Sequence, residues 1–167
     1  MGRSLAGDMV RIWRRPEAVF RARLAVAGEG SALGAIMAAC LIIFVSQWPR
    51  LARDAHLAAE AAGGGAPALR TLVAINLVAM LLVAPLVLLG VATLSVHGAA
   101  LFGRRLSPLA ARMALGWALL AVAPLTLIHG IVSGLAGPGP LVAATGSVVL
   151  LTFLWHWQRL MRLGAGA

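Results

Sequence analysis

Hydrophobic positions along this chain fall into two regimes. Over the first two dozen residues they recur at helical spacing, as Leu5, Met9, Ile12 and Trp13, then Val19, Phe20 and Leu24, with polar positions between them. That period predicts an amphipathic segment. Pro16 divides it and starts a second short helix, because proline is tolerated in a first helical turn.

From residue 31 onward the apolar runs become continuous. Runs of about 18 or more uncharged residues predict helices that cross a bilayer. Four are expected, over about 31–48, 71–97, 113–136 and 141–158. Between the first two lies a polar stretch, 49–70, holding Asp54, His56, Glu60 and the tract Gly63, Gly64, Gly65; it is expected to be the main loop. Residues 71–103 carry no charge and are too many for one straight crossing yet too few for two helices and a turn. One tilted or bent helix is expected there, projecting beyond the hydrocarbon near 95–102. Arg104, Arg105 and Arg112 bracket a turn with Pro108, and the Gly137 to Pro140 run, GPGP, breaks the chain again. The fold class is therefore all-α, a polytopic membrane bundle. An amphipathic segment (1–29) precedes a four-helix membrane domain (30–160) and a short tail (161–167).

Composition agrees. The chain is 61% hydrophobic and 11% charged, against about half and about a quarter in ordinary soluble domains. Its net charge of +9 does not point to nucleic acid, because the arginines flank apolar segments instead of forming one patch. Their asymmetry sets the threading. With a cytoplasmic N-terminus, eleven arginines lie inside and three, Arg50, Arg53 and Arg70, outside, a bias the positive-inside rule turns into an orientation. Both termini are expected in the cytoplasm of a bacterial inner membrane. Arg14 and Arg15 do not make a twin-arginine export signal, since Pro16 follows directly and no short apolar core with a cleavage site comes next.

Candidate residues follow from this layout. Arg11, Arg14, Arg15, Arg21 and Arg23, with Trp13, form a surface for anionic lipid headgroups or for a partner's acidic face. Trp48, Trp155, Trp157 and Arg159 are placed as interfacial anchors. Pro85 and Pro124 lie near the midplane of successive spans, where each frees a carbonyl four residues back. The kinked sides are expected to face the bundle interior. Small residues Gly34, Ala35, Ala38 and Ala39 form one face of the first span, and Gly130 with Gly134 gives a GxxxG pattern on the third. Asn76, Thr126, Ser133, Ser147 and Thr152 are expected to hydrogen bond between helices or to their own backbone.

Little chemistry remains. Cys40 is alone and lies in the first span, so it is expected to pack as an inert thiol. His97 and His156 fall at similar depth, but a bis-histidine haem has no further spacing motif to support it. No nucleophile with a base, no carboxylate pair and no phosphate loop assembles. A non-enzymatic protein without cofactor or metal is expected. It acts through binding, as an accessory or organising subunit, with anionic lipids and other membrane proteins or self-association as the expected partners; the alternative is a small transporter or lipid-handling protein built on the two kinked helices. A polar cavity near Asn76 and Thr126 favours the second, a dry core the first.

The stretch from Met37 to Leu57, MAACLIIFVSQWPRLARDAHL, with LIHGIVSGLAGPGP and FLWHW, resembles small bacterial members of the Yip-one (Ypt-interacting protein) membrane family, of alphaproteobacterial type. The resemblance implies an integral helical bundle with a cytoplasmic N-terminal region. Domains of that family are drawn with five spans where four are found here, so either residues 4–27 take an additional place in the membrane or the chain is a reduced version of the domain.

Overall fold

The computed structural model describes residues 5–62 and 69–166, and every regular element among them is helical. Arg3 and the triglycine tract lie outside the described residues. The order is α1 (Leu5–Arg14), α2 (Pro16–Leu24), α3 (Glu29–Ala61), α4 (Leu69–Val78), a π-helical turn (Ala79–Val83), α5 (Ala84–Leu101), α6 (Pro108–Ala136) and α7 (Pro140–Ala165). Since α4, the π-turn and α5 run on as one helix, the described residues hold four helices long and apolar enough to cross a membrane. The protein is a multi-pass helical membrane bundle.

Helix α6 is its hub. A helix apolar all round belongs in an interior, and from Ala110 to Ala123 every residue but Arg112 and Leu119 is buried. Most of those residues are small, which lets neighbouring backbones approach. Helix α3 runs parallel to α6, with Gly116 against Ala35 and Ile36, Gly130 against Ser46, and Gly134 against Pro49. At Gly130 a Cβ would overlap the Ser46 carbonyl, so the GxxxG pattern is spent on a contact within the bundle. The buried face of α3 is Ala32, Ala35, Ile36 and Ala39, whereas Gly34 points outward. Helix α7 returns antiparallel along α6, bringing Gly146 to His129 and Gly164 to Ala110. The α4–α5 helix is peripheral, and only Pro85 and Ala92 of α5 are buried.

Several expected boundaries move. The stretch after residue 48 is not a loop up to residue 61: α3 continues through Pro49 to Ala61. Its charges fit a helix, because Arg50 pairs with Asp54 at 3.4 Å and His56 with Glu60 at 3.3 Å, each one turn apart. At about 1.5 Å per residue α3 is about 50 Å long, well beyond a hydrocarbon layer of about 30 Å. Helix α6 begins at Pro108, before the expected 113, where the Ser107 hydroxyl accepts from the Ala110 N–H at 3.1 Å. It ends at Gly137, whose φ of +70° suits only glycine. Helix α7 continues to Ala165, so the tail expected from 161 is helical for most of its length.

The N-terminal arm also departs from expectation. Its helices have 10 and 9 residues, too few for a fifth span. They do not lay their apolar side into headgroups either. Ile12, Val19 and Phe20 are buried in one cluster with Met113, Ala114, Trp117, Ala118 and Leu160 of the bundle. The arm is packed against protein because α6 would otherwise lack a cover on that side.

Candidate functional site

Four side chains fix the arm to the bundle. Asp8 on α1 is 2% exposed and receives the Arg23 guanidinium of α2 at 2.6 and 2.8 Å, with Arg11 at 3.9 Å. Arg23 in turn lies 5.5 Å over the Trp117 ring of α6, a cation–π contact in a partly desolvated setting. The Trp13 indole N–H donates to the Ala121 carbonyl at 2.9 Å, and its ring stands edge-on to His156 at 5.1 Å. Two further ion pairs tie the edges, Arg159 with Glu17 at 3.3 Å and Arg112 with Glu29 at 2.5 Å. Along α6 the step from Arg112 to Ala121 is about 13 Å. The Trp13 indole, 42% exposed, therefore docks that far along α6 from the level of the Arg112–Glu29 pair.

The prolines split. Pro124 leaves the Leu120 carbonyl without its usual donor, and the adjacent Ala121 carbonyl is the one Trp13 takes. The Pro124 ring itself is exposed, contrary to the expectation that both kinked sides face inward. Pro85 is buried. Its missing N–H is absorbed by the π-turn just before it, where the Ala84 N–H reaches back to the Ala79 carbonyl. The two prolines therefore differ in their surroundings, Pro85 buried and Pro124 exposed.

The expected anchors separate as well. Trp48 and Trp155 are about half exposed, and Arg159 lies 5.4 Å over the Trp155 ring. Trp157, two residues on and so on the other side of the helix, is stacked on Phe153 at 5.6 Å and packs into the core. His156 is fully buried, with Nδ1 on the Thr152 carbonyl at 3.0 Å and its ring between Trp13 and Trp155. His97 is exposed on α5, so the two histidines do not form a pair. Among the described residues no group of three His, Cys, Asp or Glu side chains is placed to hold a metal. Cys40 is buried and free.

A polar cavity of about 580 Å³ opens at the end opposite the arm, between α3, α6 and α7. Ser46, Gln47, Arg53, Thr126, His129 and Ser133 line it. Gln47 accepts from Asn76 at 3.1 Å, joining α3 to α4, and His129 meets Thr145 at 2.9 Å. Ser133 and Thr126 donate to their own backbone, at Gly130 and Ala123. On α6 the mostly buried run from Met113 to Ala123 lies on the arm side of the cavity. A sequence pattern did not reveal it, because the expected loop concealed that Arg50, Arg53 and Asp54 continue the helical face of Ser46 and Gln47.

On the arm, Arg11, Arg14 and Arg15 border a cleft of about 500 Å³ with Val10 and Val19. Arg14, Arg15 and Arg21 are exposed, and no hydrogen bond or ion pair engages them among the described residues. Arg23 is different, since it is consumed by Asp8. No family model, no curated protein and no solved structure matches this chain.

Proposed function

We propose that this is a non-enzymatic membrane protein that works by binding, as an accessory or organising subunit of an assembly in a bacterial inner membrane. Its termini face the cytoplasm, by the arginine asymmetry. One observation carries the reading: the arm is a folded part of the bundle, its apolar side spent on α6 and α7, while Arg11, Arg14, Arg15 and Arg21 remain on the outer side. A basic surface held rigid by a buried ion pair suits a partner's acidic face or anionic lipid, because the ordering cost is met in folding. The Yip-one resemblance points the same way, to a bundle with a cytoplasmic N-terminal region. Purification in mild detergent should recover the chain with partner proteins, and Arg14→Gln with Arg15→Gln and Arg21→Gln should lose them while the bundle stays folded. Recovery of the chain alone, with no change in the triple variant, contradicts this reading.

The second reading, a small transporter or lipid-handling protein, draws on the polar cavity beside Thr126. The packed run beneath it weighs against a route across the bilayer. Solute flux into vesicles carrying only this chain would favour the second reading over the first.

A further inference from the structure

The arginines are not equally occupied. Asp8, Glu17, Glu29, Asp54 and Glu60 each already hold a basic partner, which uses up every acid in the sequence. The guanidinium groups of Arg104 and Arg105, after α5, and of Arg162, near the end of α7, have no ion pair or hydrogen bond among the described residues. The fold nevertheless brings them to one place. A crevice of about 720 Å³ between the ends of α5 and α7 is lined by Arg104 and Arg162, together with Phe102, Leu106, Trp157 and Met161. A neighbouring crevice of about 900 Å³ shares Arg104 and Leu106 and adds Arg105. The Trp157 indole N–H in this wall is buried without an acceptor, although such groups normally find one. Phe102 in the same wall is 84% exposed.

We infer that this crevice is a binding site for the phosphate headgroup of an anionic phospholipid. The uncompensated guanidinium groups of Arg104 and Arg162, with that of Arg105 in the adjoining crevice, supply the charge and the fork geometry that phosphate accepts. The apolar wall of Phe102, Leu106, Trp157 and Met161 supplies the face an acyl chain requires and a free phosphate ion does not. The position fits too: the crevice lies at the helix ends, and the crevice adjoining it reaches Leu24 of the arm, where headgroups meet a basic pocket between membrane helices. The site is separate from the arm cleft and does not depend on the role proposed for it.

The test uses the full chain purified in mild detergent, with bound lipid read by native mass spectrometry. Phosphatidylglycerol should be retained in preference to phosphatidylcholine, and the combined variant Arg104→Gln, Arg105→Gln, Arg162→Gln should lower its retention at least about tenfold. Arg14→Gln with Arg15→Gln and Arg21→Gln should leave it unchanged. Either triple variant still leaves eight arginines against three for threading. On the unsubstituted chain, raising the salt concentration should release phosphatidylglycerol, and inorganic phosphate at millimolar concentration should not displace it. Equal retention of phosphatidylcholine, retention by the crevice variant, loss in the arm variant alone, indifference to salt, or displacement by inorganic phosphate would each overturn the assignment.

Discussion

A buried carboxylate is costly unless its charge is met, and Asp8, 2% exposed, is met by Arg23 at 2.6 Å. Removing one partner strands the other, so Asp8→Ala should destabilise arm docking by about 3 kcal/mol, while Asp8→Leu combined with Arg23→Met should recover most of that loss. Protease protection of α1 and α2 in detergent reads both; equal susceptibility of all three proteins would show that the pair does not hold the arm. Packing offers a second check at Gly130. Gly130→Ala drives a methyl into the Ser46 carbonyl, whereas Gly34→Ala meets nothing within 4 Å. The first should cost about 1–3 kcal/mol and the second should be neutral or better, as measured by unfolding in mixed detergent. These pairings were only partly legible in the sequence. Spacing marks Ile12, Val19 and Phe20 as one apolar face, and Gly130 with Gly134 as a contact. It cannot say that Asp8 and Arg23 meet across a turn, or that Trp157 faces inward while Trp155 faces out, because both depend on how the arm and α7 are rotated about their axes.

Helices show a similar division. Continuous apolar runs gave four spans, since nothing in lipid satisfies a backbone except its own hydrogen bonds. Their ends were harder. Pro49 and the charges after it suggested a loop, yet the Arg50–Asp54 and His56–Glu60 pairs support another three turns of helix in water. The long uncharged stretch after residue 70 is a single helix, as expected, but its π-turn was not foreseen. Pro85 provides a reason for that turn, since a fifth-residue hydrogen bond realigns carbonyls that the proline would leave idle. Pro85→Ala should therefore let Ala79–Val83 revert to α-helix with the bundle still inserted, which amide hydrogen exchange across those residues can follow. A chain that fails to insert would contradict this.

Taken together, the bundle is built around α6, with α3 and α7 as close neighbours, α4–α5 on the margin and the arm closing the remaining side at one end. Composition and arginine asymmetry made the membrane class readable before any contact was known. They could not place the arm, because the same amphipathic pattern serves a helix on lipid and a helix on protein; only the apolar surroundings of α6 decide between them. What all of this requires is that the arm and the turn before α6 share one side of the membrane, and the end of α3 the other. Membrane-impermeant thiol labelling of intact cells tests that directly, with Cys40 replaced by Ala and single substitutions Arg14→Cys, Arg105→Cys or Glu60→Cys. Glu60→Cys should label from outside, and the other two only after permeabilisation. Labelling of all three from the same side, or of Arg14→Cys from outside, would contradict the account.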